Sequence, residues 1–439
     1  MLNVLLFYST YLAGFFFTFK RSAALAFAIY QAVYYFHPQN RWWGYMVPDI
    51  SYSFFTVLLM FTVFALNFKI LNENKLLKSP HMRWIYFILF LFTIATFYAV
   101  IPWNHEYSLT IFFKLVIIMS VAYKLVNTTK DMDFILIAHI FGGWYLSFVA
   151  FQIGRNSGDR VEGIGTVDSP DSNGAAAAIA PSIVLALYYL WVTKNKILKG
   201  ALAISILFMV NAIVLINSRG AFLGVACSVL YFIYHMFFSK FQRPYQKIAV
   251  IGIVIMGLLG VIRVADDSFV ERMQSIFTSE VSSKKETGAT RTEYWKAAWE
   301  MAKDHPFGAG IAGFQFYAPS YIAQNVNTGN SRNRAVHSTW FEALSEIGYL
   351  GLGALIAMLY CCYSTNRKCM QTLKRQNRVD EYFKVRAIEA SLICFIVTMT
   401  FLNRMRAEVL YWLILYCACA YNVYVLRNSF DDKTVDKLT

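Results

Sequence analysis

Apolar residues occupy this chain in long blocks, with polar residues in short gaps between them. Thirteen blocks stand out, near residues 2–19, 22–36, 49–71, 84–101, 109–126, 133–153, 173–193, 200–216, 220–238, 247–264, 338–363, 385–402 and 407–426. Most approach or exceed the roughly 20 residues that carry a helix across a hydrocarbon core of about 30 Å. In lipid each backbone polar group must be satisfied within its own segment. The pattern therefore predicts an all-α polytopic membrane protein, with about 12–13 transmembrane helices in one integral domain over residues 1–439.

One gap is long. Residues 266–336 are hydrophilic until His337, where the chain turns apolar again. Inside it, Arg291 to Lys303 places Trp295, Trp299 and Ala302 at i, i+4 and i+7, which predicts an amphipathic helix lying on the membrane. Pro306, Gly308 and Gly310 then stop it. Lys284-Lys285-Glu286 upstream reads as a solvated turn.

Composition agrees with the pattern. Of 439 residues, 57% are hydrophobic and only 15% charged, whereas charged residues make up about a quarter of a soluble domain. The net charge of +14 does not point to nucleic acid, because its excess sits in short loops beside apolar blocks. There Lys and Arg set topology and meet anionic membrane lipids. Basic loops at 20–21, 69–83, 124–130, 194–199, 240–247 and 367–386 alternate with the others and are assigned to the cytoplasm, as is the tail 427–439. The opposite, exterior side receives 37–48, 102–108, 154–172, 217–219, 265–337 and 403–406. An odd number of spans puts the N-terminus there too. Residues 2–19 lack a basic n-region and a small-residue cleavage site, so they read as a retained span. The seven cysteines fall in apolar blocks or a basic loop, which implies no disulfide framework, and none has His or Cys partners at metal spacing.

The exterior set contains Arg155, Arg160, Arg219, Arg291, Arg332, Arg334, Arg404 and Arg406, with His337. Arginine on that side opposes the topological bias. Each one singly has a bland explanation, such as snorkelling or pairing with Asp159, Glu162 or Glu293. Together they suit holding an anionic phosphate. His337 begins a block, where a helix N-terminus and the nearby Arg332 and Arg334 favour neutral imidazole, which can take a hydroxyl proton. Its other reading is a helix-end anchor. Glu342 lies too far round the helix to orient it. Arg219 sits in the break Asn217-Ser218-Arg219-Gly220, before small residues that permit close helix approach. Asp171 or Ser172 reads as an N-cap of the Ala-rich block, His139 as a hydrogen-bonded packing residue and His305 as a cap. Gly163-Ile164-Gly165 precedes no βαβ unit, and no P-loop, HExxH or GxSxG stands in usable context.

These residues resemble a known family. Arg219-Gly220-Ala221-Phe222-Leu223 looks like the R-x-x-x-L element of bacterial O-antigen ligases, and His337 with Gly348 fits their H-x10-G element. The wider group includes Wzy-type polymerases and protein O-oligosaccharyltransferases. His37-Pro38-Gln39-Asn40-Arg41-Trp42-Trp43-Gly44-Tyr45 is similar to an early segment of O-glycosylation ligases associated with exosortase systems. The same residues also read as an aromatic interface belt. The resemblance implies a metal-independent, cofactor-free, inverting glycosyltransferase of the bacterial inner membrane, with 154–172 and 265–337 as periplasmic loops and the larger carrying part of the active site. Its donor would be an undecaprenyl-diphosphate-linked glycan, its acceptor lipid A-core or protein. His337 would be the base and Arg219 and Arg291 the diphosphate ligands, with Arg155, Arg160, Arg332 and Arg334 as further substrate contacts. The alternatives are a Wzy-type polymerase and, in another class, a transporter of anionic lipid. A transporter calls for charge near the bilayer midplane. The blocks hold few ionisable groups, among which Lys114, His139, Glu342, Glu346 and Glu389 stand out, mostly near block ends. Gly348, Gly351 and Gly353 suggest close helix packing more than a broken helix.

The side assignment is testable by thiol labelling. A cysteine at Asp159→Cys is expected to react with an impermeant maleimide from the periplasm, and one at Lys196→Cys only after the membrane is opened. The reverse pattern would overturn the orientation.

Overall fold

The computed structural model describes residues 1–264, 267–274, 288–326, 328 and 331–427. Lys284-Lys285-Glu286 and nearly all of the tail lie outside the described residues. Seventeen α-helices follow one another: α1 (Leu2–Lys20), α2 (Ala24–Phe36), α3 (Tyr52–Leu66), α4 (Phe68–Leu71), α5 (Pro80–Ala95), α6 (Pro102–Leu125), α7 (Thr129–Ile153), α8 (Ser172–Val192), α9 (Lys196–Ile216), α10 (Arg219–Phe238), α11 (Gln246–Val264), α12 (Asp267–Gln274), α13 (Gly288–Asp304), α14 (Gly313–Tyr321), α15 (Thr339–Arg375), α16 (Val379–Met399) and α17 (Glu408–Tyr421).

Each of the thirteen apolar blocks is helical. Among the described residues, eight helices are long and apolar enough to cross a membrane, or nine if the bent pair from Tyr52 to Lys78 is one span. The chain is an all-α, multi-pass membrane protein. The lower count has a physical reason. At 1.5 Å per residue, the 13-residue α2 is about 20 Å long. Nearly all of its residues are buried by neighbouring helices, so it is an interior helix that need not match the hydrocarbon thickness. α16 carries Asp380, Glu381, Lys384, Arg386 and Glu389. All five are paired: Arg386 with Glu389 at 2.8 Å, Lys384 with Asp133 at 2.6 Å, Glu381 with Arg378 at 2.6 Å, and Asp380 with Arg243.

Small residues set the closest helix contact near the N-terminus of α10. A Cβ on Gly224 would lie 2.6 Å from the Cys394 carbonyl oxygen of α16. Only hydrogen at this position lets the two helices meet there, and the contact holds Arg219 beside the turn between α16 and α17.

Gly348 is tightly packed as expected, but the expectation that the helix runs unbroken there is corrected. α15 breaks there, with Ile347 and Gly348 non-helical and Gly348 at φ +68°. The break frees carbonyls that a continuous helix would have used. Ser345 and Glu346 accept instead from the amides of Ala309 (2.9 Å) and Gly310 (3.0 Å), and the Tyr349 amide donates to Pro306 (3.1 Å). A Cβ on Gly348 would stand 2.1 Å from the Pro306 oxygen. On its other side the 307–311 segment is held by Val100 N–H to Ala309 (3.1 Å) and the Tyr98 hydroxyl to Phe307 (2.8 Å). His105 adds a third tie, taking the Ile311 amide proton at Nδ1 (3.0 Å) and giving Nε2–H to Phe92 (2.9 Å).

α13 forms as expected, but its buried stripe lies one position over. Tyr294, Ala298, Met301 and Ala302 are buried, whereas Trp299 is 47% exposed. The stripe packs on protein, in a small core with Phe314, Ala318 and Val336. Trp295 stacks on Phe341 of α15 at 5.7 Å. The stripe's period was legible; the partner, a neighbouring helix, was not. His305 ends α13, its amide donating to the Met301 carbonyl (2.9 Å), and its ring stacks on Tyr317 at 4.5 Å.

Arg406 closes this assembly. It pairs with Glu346 and, at 3.3 Å, with Glu342, both nearly fully buried. Glu342 also accepts the Met405 amide (3.0 Å) and Glu346 the Ala312 amide (3.1 Å). Removing one partner of a buried ion pair costs roughly 3–5 kcal/mol, because the remaining charge is left uncompensated. Arg406→Ala is therefore expected to lower stability by that order in thermal unfolding of the purified protein. A change within about 0.5 kcal/mol, typical of surface substitutions, would refute the role given to this pairing.

Candidate functional site

At the end of the bundle where α7 and α9 stop and α8, α10 and α17 start, the chain encloses a cavity of about 490 Å³. Its walls come from distant parts of the sequence. Arg160 arrives from the loop after α7, Asp171 and Asn173 from the start of α8, and Ser218, Arg219 and Gly220 from the start of α10. Arg291 comes from the first turns of α13, Ala335 and His337 from the approach to α15, and residues 401–404 from the turn before α17. Four guanidiniums and one imidazole thus face one carboxylate. The N-terminal turns of α8 and α10 also point their amides and positive dipole ends here, which adds to the attraction for an anion.

Local backbone explains how two of these side chains reach the cavity. α9 ends on Asn217 at φ +57° in the left-handed region, a common C-terminal stop. Ser218 is then extended and Arg219 opens α10. His337 is itself left-handed at φ +52°, and extended Ser338 follows as N-cap of α15. For a residue with a Cβ this conformation costs on the order of 1–3 kcal/mol and persists only where the surroundings enforce it. They do so through the turn between α16 and α17. The Ser338 amide donates to Asn403 Oδ1 (3.1 Å), the Thr339 hydroxyl to the Leu402 carbonyl (2.7 Å), and the Arg404 amide to Thr339 Oγ1 (2.9 Å). Trp340 Nε1 donates to Thr400 Oγ1 (3.0 Å). The His337 ring lies 6.4 Å from that of Tyr294.

The other charges are held as tightly. Arg160 donates to the Ile216 carbonyl (3.0 Å) and to Asn173 (2.9 Å), and stands 3.7 Å from Glu162. Arg291 reaches the Phe401 carbonyl at 3.4 Å. Arg404 is only 8% exposed and donates to Ser169 Oγ (2.5 Å) and Asp171 Oδ2 (3.3 Å). Asp171 also caps α8, taking the Gly174 amide at 3.0 Å, as the sequence led us to expect. Partial burial pushes the Asp171 carboxyl up. The Ser169 hydroxyl, Arg404 and the amides of Gly174 and Asn173 outweigh it and hold the group below its ordinary range.

Of the residues singled out from sequence, the cavity gathers His337, Arg219, Arg291 and Arg160. Arg155 is not among its lining residues. Arg332 and Arg334 serve their own loop. Arg332 donates to the Ile322 and Ala323 carbonyls, Arg334 to those of Thr328 (2.8 Å) and Ser331 (3.1 Å). Arg404 and Asn403 line the cavity without having been assigned to the site. Their only sequence signal was position on the exterior face. His139 is a packing residue as expected, buried and 3.1 Å from the Tyr416 hydroxyl.

The His37 to Tyr45 segment does not form an aromatic belt throughout. Trp43 is 2% exposed and donates to the Tyr145 hydroxyl (3.2 Å), while Trp42 and Tyr45 face outward. Buried Arg41 reaches the Gly165 carbonyl at 3.2 Å, tying this segment to the loop that holds Arg404. At His37, burial first and then the charge of Arg41 push the imidazole down to about 4.

Residues 204–356 match a family described as O-antigen ligase. The match supports an O-antigen ligase/Wzy-like family and a glycosyltransferase-like function. It covers Arg219, Arg291 and His337; Arg160 and Arg404 lie outside it. No curated protein matches the chain.

Asp171→Ala removes a helix cap and is expected to cost about 1 kcal/mol at neutral pH. A carboxyl whose native pKa is depressed contributes stability above its unfolded pKa of about 3.9 and loses it as pH falls through the native value. The gap between wild type and variant in thermal unfolding should therefore be full near pH 7 and close below about pH 4. A gap that grows on acidification would contradict the arrangement.

Proposed function

We propose that this chain, O-antigen ligase-like over residues 204–356, moves a glycan from undecaprenyl diphosphate to an acceptor hydroxyl. The acceptor is lipid A-core or protein, at the periplasmic face of the bacterial inner membrane. The observation that carries this reading is the single cavity where Arg160, Arg219, Arg291 and Arg404 surround the space beside His337. A diphosphate needs several charge-assisted donors, and planar guanidinium forks match its oxygens two at a time. Arg219 and Arg291, on two different helix starts, grip it from opposite walls. Arg160 and Arg404 enlarge the same field.

In the reaction His337 takes the proton from the acceptor hydroxyl as its oxygen attacks the anomeric carbon. The bond from that carbon to the phosphate oxygen breaks, and undecaprenyl diphosphate leaves with the electron pair. The guanidiniums stabilise the charge that grows on it. One direct displacement inverts the anomeric configuration. The αL backbone at His337 supports this role, since conformational strain held by surrounding contacts concentrates where a side chain must be aimed.

Purified His337→Ala is expected to lose turnover by roughly a hundred- to ten-thousand-fold, the usual contribution of a general base, with binding of undecaprenyl diphosphate retained. Arg219→Ala should weaken that binding. In a deletion strain carrying either variant, blots should show long glycan on the carrier and none on lipid A-core or protein. Single repeat units attached to the acceptor would instead identify a polymerase. Full glycan display from both variants would overturn the site.

A further inference from the structure

A second cavity, of about 310 Å³, adjoins the first. Ala335 and Asn403 line both, so the wall between them is the approach to His337 on one side and the turn before α17 on the other. The two chambers differ in chemistry. The first presents four guanidiniums against one carboxylate. The second holds Glu342, Glu346 and Arg406, whose one guanidinium is outnumbered by the two carboxylates it pairs with. The rest of its polar lining is uncharged and includes Asn104 and Ser108 from the start of α6 and Gln315 from α14. Among the described residues the side chains of these three make no hydrogen bond to protein. Asn403 is fixed by its oxygen, which accepts the Ser338 amide at 3.1 Å. Its amide nitrogen is left to donate at the boundary of the two chambers.

We infer that this second chamber binds a saccharide unit through its hydroxyl groups, beside the diphosphate in the first. Side-chain amides and a hydroxyl offer both donors and acceptors, as neutral sugar hydroxyls require. The neutralised Arg406 gives no reason for an anion to enter. The volume lies within the roughly 300–1,000 Å³ of small-molecule sites. The shared wall puts a bound sugar next to His337, where the new glycosidic bond forms. The inference rests on the transferase reading above. It names a saccharide, which is either the first sugar of the donor or the terminal sugar of the acceptor.

The test uses Asn104→Ala and Gln315→Ala, singly, in the full-length purified protein. Gln315 is exposed, so its variant keeps the fold even where the other does not. Transfer is measured with glycan-loaded undecaprenyl diphosphate and the acceptor found in the complementation blots, and bare undecaprenyl diphosphate is titrated as inhibitor. Each variant is expected to raise one KM by roughly three- to tenfold, the loss of about one hydrogen bond, with kcat and inhibition by bare carrier unchanged. A raised donor KM assigns the chamber to the donor sugar, and a raised acceptor KM assigns it to the acceptor sugar. Wild-type values for both KM, or a fall in kcat alone, overturn the inference. Failure of bare carrier to inhibit wild type would instead overturn the transferase reading, so the two failures are distinguishable.

Discussion

Arg406 stands between two carboxylates that the surrounding helices have removed from water, and much of the site's geometry depends on that pairing. Glu342 and Glu346 sit one turn apart on α15, so they face the same direction. One guanidinium can satisfy both only if the 400–406 turn lies against that face. The remaining acceptor capacity of the carboxylates is met by the amides of Met405 and Ala312. An isolated buried charge is untenable, so the arrangement registers three segments at once: α15, the turn before α17 and the start of α14.

From that register the cationic cavity follows. The 400–405 turn meets the start of α15 in a ladder of hydrogen bonds, which aims His337 and carries Arg404 to its place. The break at Gly348 receives the 306–310 segment, which fixes where α13 ends and so bears on where Arg291, in its first turn, is placed. Docking at the break and docking at the ion triad are two anchors for one polar segment. Between them they convert a long hydrophilic insertion into a wall. The spacing of ten residues between His337 and Gly348 acquires a meaning here: it is the length of helix between the residue that faces the cavity and the break that seats the segment.

The helices were legible because burial in lipid and protein leaves long apolar runs, and such runs have one backbone solution. Arg219, Arg291 and His337 were legible because each is a polar residue at the edge of an apolar or periodic stretch. Arg404 and Asn403 were not assigned, since the eight-residue turn between α16 and α17 has no periodicity to place its side chains. Their roles come from contacts with Ser169, Asp171 and Ser338, far away in sequence. The buried face of α13 was misjudged for a related reason. Aromatic spacing marks a stripe, but alanine and methionine fit more closely against a neighbouring helix, and the tryptophans were left at its edge. Hydropathy alone does not separate a helix in lipid from a short one wrapped by others, as α2 is, so the helices were more legible than their lengths.

The ladder between residues 338–342 and 400–405 also governs how the protein comes into being. Synthesis delivers the first half of that ladder some sixty residues before the second. Until α16 and the turn beyond it have left the ribosome, His337 has no Asn403 behind it, and the carboxylates of α15 have no Arg406. A nascent chain already embedded in the membrane therefore carries Arg219 and Arg291 before anything holds His337 in place. The cavity is completed by the last helical hairpin, so a chain cut short of it has the cations without the geometry.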